Sequence, residues 1–261
     1  MHVQTCKTTC LTYLTCEALA SPHGIFTCAG GVSTGLFQGL NLGFNTEDEE
    51  KKVEENRRQV QETLSLTRLA TVHQVHGDRF LVIDSAGDTL ATETSGYDGL
   101  LTDLPGVGLL IQHADCQAIL LHDPQQSAVG AAHNGWRGSV LDVPGKIVAR
   151  MCEEYGSDPA NLQALIGPSL GPCCAEFIHY QKELPEWMWR HRLCTCHFDF
   201  WSITRQQLTN AGLRDKHIYQ ASICTQCDPR FYSYRRAVRE TGGITGRNGA
   251  VIALAAKEES A

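Results

Sequence analysis

The sequence predicts a mixed fold, α/β or α+β, in one domain spanning residues 1–261. Short apolar runs of strand length alternate with stretches in which apolar residues recur at helical spacing. Gly and Pro are scattered, and no repeat, linker or low-complexity segment divides the chain. A chain of this length can bury a sizeable core, so one domain is the simplest organisation.

The first helix is predicted from a capping box. Thr46 is followed three residues later by Glu49, and Val53, Val60 and Leu64 then recur at helical spacing. The pattern predicts an amphipathic helix that runs to about residue 65.

Six apolar runs have the length expected for buried strands. They cover 80–83, 107–112, 118–122, 128–133, 162–166 and 250–254. Asp123-Pro124 predicts a turn between the third and fourth of these runs. A tight turn at 134–138 then leads into a helical pattern that ends near Gly156, with Pro144 kinking or restarting the helix. A further helix is predicted over 202–211.

Composition excludes several functional classes. Hydrophobic residues make up 42% of the chain and charged residues 20%, as in ordinary globular proteins. A formal net charge of -7 argues against a broad nucleic-acid surface. The first 20 residues lack the apolar core of a secretory signal, and no run approaches a membrane span. We therefore expect a cytoplasmic protein whose 12 cysteines are mostly reduced.

Three side chains near the ends of strand-like segments are candidate metal ligands: His76, Cys116 and His133. Two imidazoles and a thiolate suit zinc, and three ligands leave a coordination position open. Their spacings of 40 and 17 residues match no zinc finger, so two hydrogen-bonded histidines and a buried thiol are the alternative. His73 and His113 are weaker candidates because they lie in or beside extended segments.

Basic residues indicate an anion site. Arg137 follows a glycine turn at a predicted helix start, where backbone N–H groups and a guanidinium can hold phosphate together. The alternative is a surface arginine whose stem packs on Trp136. A second basic cluster, 233–236, precedes the Gly-rich stretch 241–247, which is either an anion-binding loop or an exposed hairpin.

Cys224-Thr225-Gln226-Cys227 is the only Cys-x-x-Cys of the chain. It could be redox-active, or it could join Cys173, Cys174, Cys194 or Cys196 in a structural metal site. No second Cys-x-x-Cys supplies the complementary pair, so coincidence in a cysteine-rich chain is the simplest interpretation.

Nine segments together resemble the YfiH-type, or laccase-domain (polyphenol oxidase), family, which includes purine nucleoside phosphorylases. They span nearly the whole chain in the order of the family and cover residues 30–33, 40–43, 55–57, 74–77, 98–100, 114–116, 133–138, 167–172 and 233–236. Three departures are Cys28 where the family often has Arg, Asn134 where Ala is usual, and Ala118 where Pro is frequent. The loss of an arginine at position 28 puts phosphate binding in doubt more than metal binding.

The resemblance implies an α+β domain in which two mixed β-sheets pack together with helices outside. It also implies a zinc site made by His76, Cys116 and His133, and phosphorolysis of adenosine, inosine and S-methyl-5'-thioadenosine with adenosine deaminase activity. Asp115 is then a candidate proton donor or orienting group, and Arg137 and Asn41 are candidates for catalytic contacts. Ser33 and Arg235 are candidates for contacts to substrate or phosphate. The implied partners are purine nucleosides and phosphate; the sequence does not predict an oligomeric state.

Three alternatives remain open. A copper-dependent polyphenol oxidase is one, because a His2Cys set also suits copper, although the chain has no His-x-His and no methionine near the three motifs. A non-catalytic, metal-stabilised binding protein is another. The third is a cysteine hydrolase with Cys116 as nucleophile and His133 as base.

Overall fold

Two six-stranded sheets form the centre of the computed structural model, which describes residues 1–84 and 94–256. The strands are β1 (His2–Thr5), β2 (Thr12–Thr15), β3 (His23–Phe26), β4 (Arg68–Ala70), β5 (Val72–His73), β6 (Phe80–Ile83), β7 (Thr94–Ser95), β8 (Gly99–Thr102), β9 (Val107–His113), β10 (Gln117–Asp123), β11 (Ala128–Asn134), β12 (Gln163–Ile166), β13 (Arg192–Cys194), β14 (His197–Phe198), β15 (Ile218–Gln220) and β16 (Asn248–Ala253). The α-helices are α1 (Glu50–Thr63), α2 (Trp136–Val140), α3 (Val143–Tyr155), α4 (Tyr180–Glu183), α5 (Phe200–Asn210) and α6 (Tyr234–Glu240). Short 3-10 helices cover Gly35–Phe37, Glu186–His191 and Asp215–His217.

Both large sheets are mixed, as the sequence predicts. The first has the order β1-β2-β3-β16-β9-β4, with β4 and β9 parallel and the other pairs antiparallel. The second has the order β15-β12-β10-β11-β8-β6, with parallel pairs at its two ends. The predicted α+β fold with two packed sheets and outer helices is confirmed.

The two sheets share one core and bury both faces of their central strands. Leu109 of β9 and Leu120 of β10 belong to the cluster between the sheets. Successive side chains of a strand point to opposite faces. Leu110 therefore joins the cluster that contains Val60 of α1, and Leu121 joins the cluster that contains α3. This burial on both faces explains why these strands are continuous apolar runs.

The first predicted helix begins later than its capping box indicates. The helix α1 starts at Glu50, and its N-cap residue Glu49 makes no side-chain capping bond. Thr46 is engaged elsewhere, because its hydroxyl donates to the Gly43 carbonyl (2.9 Å) and accepts from Asn41 Nδ2 (3.1 Å).

The predicted restart at Pro144 is correct. The helix α2 ends at Val140, and Asp142 caps α3 by accepting a hydrogen bond from Gly145 N, with Pro144 in the first turn. Gly156 ends α3 with a φ of 68°, a conformation that favours glycine.

The hairpin alternative for 241–247 is wrong, because this stretch connects α6 to β16. The sequence also does not predict the short strands β1–β5 or the helices α4 and α6. Within the described ranges, no helix is long and apolar enough to cross a membrane.

Candidate metal centre and cavity

His76 lies in a loop that the buried carboxylate of Asp98 holds in place. Asp98 accepts backbone hydrogen bonds from Val75 (3.1 Å), His76 (2.8 Å) and Gly77 (2.6 Å). His76 has a φ of 60°, the left-handed region that non-glycine residues seldom adopt. Three N–H donors on one carboxylate fix this turn and thereby the direction of the His76 side chain.

His133 is the next-to-last residue of β11, and it contacts the same carboxylate. Its Nδ1 lies 2.9 Å from Asp98 Oδ1. An ionised carboxylate only accepts hydrogen bonds, so Nδ1 carries the proton and Nε2 is left to bind a metal. Hydrogen bonds from His133 and from the loop outweigh the effect of burial, and the pKa of Asp98 is lowered.

Cys116 comes from the three-residue connector 114–116, which joins β9 of the first sheet to β10 of the second. Its neighbour Asp115 has a φ of 84°. The Asp115 carboxylate accepts hydrogen bonds from Thr225 Oγ1 (2.6 Å) and from Arg235 N (2.6 Å). These two bonds anchor the connector, and they suit Asp115 to orienting its neighbours more than to donating a proton.

The structure brings the three predicted ligands together. One ligand atom from each of His76, Cys116 and His133 lies within 4.8 Å of the others. Cys116 Sγ is 3.8 Å from His76 Nε2, and the two imidazole rings are 4.7 Å apart. Zinc bonds of about 2.0–2.3 Å fit inside such a group. His73 and His113 are not part of it.

Gly135 closes one side of this group. A Cβ at this position would lie 2.9 Å from Cys116 Sγ and 3.3 Å from His76 Cδ2. The backbone therefore approaches the ligands more closely than any other residue type would allow, which is the physical reason for a glycine in the turn after β11.

Charge also prepares the group for a cation. Burial by itself raises the pKa of the Cys116 thiol. The His133 charge and hydrogen bonds from both histidines have the larger effect and lower this pKa to about 6. Burial lowers the pKa of His133, whereas the Cys116 charge and the Asp98 hydrogen bond raise it to about 9. Both shifts favour a thiolate on Cys116 beside a protonated His133, and the thiolate is the form that binds metal; a metal at Nε2 would take the place of the His133 proton.

The group lies at the wall of a cavity of about 830 Å³. This volume is typical of sites for small organic ligands. Its walls combine aromatic rings with cationic and neutral polar groups; they include Trp136, Phe177, Phe200, Tyr234, Arg137, Arg235, Arg247, His113, Gln74 and Gln112.

The cavity arginines differ in how firmly they are held. Arg137 is exposed, and its guanidinium lies 5.2 Å from the Trp136 ring centre, as the surface-arginine alternative predicts. Arg235 donates to the carbonyls of Cys174 (3.2 Å) and Glu176 (3.3 Å). Arg247 donates to the Thr245 carbonyl (2.9 Å), and burial lowers the pKa of its guanidinium. All three side chains direct positive charge into one space.

Asn41 and Ser33 lie outside the described cavity wall. Asn41 is fully buried, donates to Asp48 Oδ2 (2.9 Å) and accepts from Arg247 N (2.8 Å). Ser33 donates to the same Asp48 oxygen (2.6 Å) and accepts from Asn56 Nδ2 (2.9 Å). Their contacts with substrate stay a prediction; in the structure their polar atoms join a buried network that reaches the backbone of Arg247.

Two residues at the site are not functional candidates on sequence grounds, and a third, His113, is predicted only as a weaker metal-ligand candidate. Asp98 and Arg247 were present in segments noted above, but only tertiary contacts show what they do. His113 is buried, and burial lowers its pKa to about 3. Neither of its ring nitrogens makes a hydrogen bond within the described part of the chain. Both nitrogens are also closed to solvent, so a ligand in the cavity would reach this imidazole only after a small movement of the wall.

The chain is similar to several known proteins over most of its length. The family described as "Multi-copper polyphenol oxidoreductase laccase" matches residues 22–255. A purine nucleoside phosphorylase of Deinococcus radiodurans is 35% identical over 252 residues, which cover 92% of each chain. The purine nucleoside phosphorylase YlmD of Geobacillus stearothermophilus is 33% identical over 244 residues, 86% of each chain. The crystal structure of the hypothetical protein YfiH of Bacillus licheniformis superposes with a TM-score of 0.85 at 28% identity, and covers 97% of this chain and 98% of that one.

Proposed function

Because the chain belongs to this laccase-domain family, we propose that it is a zinc-dependent purine nucleoside phosphorylase that cleaves adenosine, inosine and S-methyl-5'-thioadenosine. We include adenosine deaminase activity in the proposal. The observation that carries it is a three-ligand metal group placed on the wall of a cavity that also holds three arginines. The phosphorylase names of the relatives support the reaction class.

His76, Cys116 and His133 would hold the zinc ion, and three protein ligands leave a coordination position for water or substrate. When bound, zinc supplies a Lewis acid that stabilises negative charge and lowers the pKa of water. Asp98 contributes by fixing the His133 tautomer and the loop of His76 at once.

Phosphate would be held by the arginines of the cavity, because guanidinium groups match its oxygens in geometry and charge. Arg235 and Arg247 are braced by backbone carbonyls, so they offer charge from fixed positions. Arg137 is free to move onto the anion. Phosphorolysis requires phosphate to face the ribose C1′ while charge on the departing base is neutralised.

The purine would lie among the aromatic rings and His113. Trp136 and Phe177 lie edge to face with ring centres 6.2 Å apart, and they give the cavity an apolar side. The neutral imidazole of His113 offers one donor and one acceptor, a pair that a purine edge can match.

The test is a nucleoside panel incubated with and without phosphate, with chromatography of the products. We expect free base and the 1-phosphate of the sugar only when phosphate is present: ribose 1-phosphate from adenosine or inosine, and 5-methylthioribose 1-phosphate from S-methyl-5'-thioadenosine. We expect inosine from adenosine in either case. In Cys116→Ser we expect loss of both activities together with loss of metal at this site, since a hydroxyl is a poorer zinc ligand than a thiolate. The exposed Cys10→Ser is the matched control.

The same variants separate the alternatives. If Cys116 were a nucleophile, Cys116→Ser would keep its metal at this site and lose turnover. Deamination that survives loss of this metal would refute a shared centre. An unchanged product pattern without phosphate would refute phosphorolysis.

A copper-dependent polyphenol oxidase is the second candidate, favoured by the description of the family. Blue-copper sites add a weak axial methionine to a His2Cys set. Met151 and Met188 are fully buried in separate core clusters, and neither lines the cavity. Copper-loaded protein that oxidises phenols, with no nucleoside cleavage by zinc-loaded protein, would favour this candidate instead.

A cytoplasmic location is part of the proposal. All twelve cysteines are free thiols, which suits a reducing compartment. Fractionation of cells that express the tagged chain tests this point.

A further inference from the structure

Four cysteines outside the cavity meet where two loops of the second sheet come together. Cys173 and Cys174 lie in the loop after β12, and Cys224 and Cys227 lie in the loop after β15. The four Sγ atoms all lie within 4.8 Å of one another. In the sequence, the Cys-x-x-Cys lacks a second Cys-x-x-Cys and coincidence is the simplest interpretation. The structure places a second pair, the adjacent Cys173 and Cys174, beside it. Cys194 and Cys196 are not part of the cluster.

The distances suit a metal ion better than a disulfide. Cys227 Sγ lies 3.7 Å from Cys173 Sγ and 3.4 Å from Cys174 Sγ. A disulfide requires about 2.05 Å between sulfurs. A tetrahedral zinc ion with bonds of about 2.3 Å places its sulfur ligands about 3.8 Å apart. The observed spacing is therefore close to that of a four-thiolate site.

Backbone contacts prepare the cluster independently of any ion. Ser169 and Cys224 form a parallel bridge between the two loops. Gly171 N donates to Cys224 Sγ (3.3 Å), and Cys227 N donates to the Cys224 carbonyl (3.2 Å), which closes a turn across the Cys-x-x-Cys. An N–H group directed at a sulfur favours the thiolate form, as metal binding requires.

We propose that Cys173, Cys174, Cys224 and Cys227 bind a second zinc ion in a closed, structural four-cysteine site. Four thiolates complete a tetrahedral shell and leave no position for substrate, in contrast to the three-ligand group in the cavity.

The second site would stiffen one wall of the cavity. Thr225, inside the Cys-x-x-Cys, donates to Asp115 next to Cys116. The Cys174 carbonyl accepts from the Arg235 guanidinium. The loop after Cys174 continues into Glu176 and Phe177, which line the cavity. An ion that joins the two loops would therefore fix the positions of two parts of the cavity: the connector 114–116 and the guanidinium of Arg235.

The first experiment counts metal in purified full-length protein. We expect about two zinc ions per chain in the wild type and about one in Cys116→Ser, which keeps only the four-cysteine site. The double variant Cys173→Ser/Cys227→Ser should also hold about one, now in the cavity. The exposed Cys194→Ser is the control and should match the wild type. Zinc-free Cys116→Ser, or a double variant with the wild-type zinc content, would overturn the proposal.

The second experiment identifies the ligands and does not depend on folding of the double variant. X-ray absorption of zinc-loaded Cys116→Ser should show four sulfur neighbours at about 2.3 Å. In the same protein, Cys173, Cys174, Cys224 and Cys227 should resist alkylation until a chelator is added. A mixed nitrogen and sulfur shell, or a Cys174–Cys227 disulfide in protein kept under reductant, would overturn the proposal. Neither readout involves nucleoside turnover, so these results stand apart from the proposed activity.

Discussion

Asp98 is the side chain on which the geometry of the cavity metal centre depends. Its carboxylate is fully buried, and it bonds to His133 and to the backbone of the loop that carries His76. One residue thus aligns two ligands that are distant in sequence. Its charge is compensated by four donors, three backbone N–H groups of the loop and the imidazole of His133, whose pKa it raises.

Asp98→Asn should weaken metal binding while the fold is retained. The amide oxygen can still accept from the loop, but the negative charge that orients and polarises His133 is lost. We expect zinc affinity to fall by about 10- to 100-fold, measured by chelator competition. Asp103→Asn, at an exposed aspartate, should bind zinc like the wild type. Equal affinities for both variants would contradict the positioning role.

His113→Phe tests the unpartnered imidazole. The aromatic ring keeps the volume of the side chain, so the metal content should not change. If substrate bonds to His113, kcat/KM should fall by about 10-fold or more, the worth of one or two hydrogen bonds in a buried site. His122→Phe is the control, because His122 is also a buried strand histidine but lies near the far end of β10 and does not line the cavity. A normal kcat/KM in His113→Phe would assign the residue to packing alone.

Site residues could be predicted where the chemistry is local. His76, Cys116 and His133 each stand next to a turn signal, and the structure brings them together. Asp98 could not be predicted as a site residue, and His113 could be predicted only as a weaker metal-ligand candidate, because their roles arise from contacts across the fold. Ser33 and Asn41 look like exposed polar residues in glycine-rich segments, but the structure buries both.

At the scale of elements, a polar joint connects the centre of the second sheet to two helices. Asn134 Nδ2 at the end of β11 lies within hydrogen-bond distance of Gln117 Oε1 of β10 (2.9 Å), Ser139 Oγ of α2 (3.2 Å) and Thr204 Oγ1 of α5 (3.1 Å), and its two N–H groups are shared among these three acceptors. Thr204 Oγ1 in turn donates to Gln117 Oε1. This network gives Asn134 a structural role in joining β10 and β11 to α2 and α5.

Thr204→Val should destabilise the protein by about 1–3 kcal/mol. It replaces the hydroxyl by a methyl group of similar size, so buried polar groups of Asn134 and Gln117 lose a hydrogen-bond partner. The free energy of unfolding in urea, measured with zinc present, is the readout. Thr209→Val on the exposed side of α5 should change it by less than about 0.5 kcal/mol. Equal costs for the two variants would show that the joint contributes nothing beyond helix propensity.

Strands were predictable where burial on both faces leaves an unbroken apolar run; β3 and β8 are equally buried, but with two large apolar side chains each they leave no such run. The strands β9, β10, β11 and β16 bury both faces and are read as apolar runs. The strand β1 is exposed throughout and carries no such pattern. The predicted start of α1 is wrong because the hydroxyl of Thr46 bonds to Asn41 and Gly43 and does not cap the helix. A capping pattern in the local sequence does not reveal these competing partners.

At the scale of the molecule, the core between the sheets couples them into one unit. Leu109→Ala in the first sheet and Leu120→Ala in the second should each cost about 2–5 kcal/mol, since each empties a fully buried site of the shared cluster. Both variants should lower the temperature of the same single calorimetric transition. Leu193→Ala, at an exposed leucine, is the control. Two transitions, of which each variant lowers only one, would show that the sheets unfold independently.

The connector 114–116 has a consequence for the order of folding. It crosses from one sheet to the other in three residues and carries Cys116, while His76 and His133 are tied to the second sheet through Asp98. A chain in which only one sheet has formed therefore lacks the complete ligand set of the cavity. Tight metal capture at this site has to follow docking of the sheets, and the captured ion then opposes their separation. The cavity ion would act late in folding: it would stabilise sheets that have already docked and would not nucleate folding.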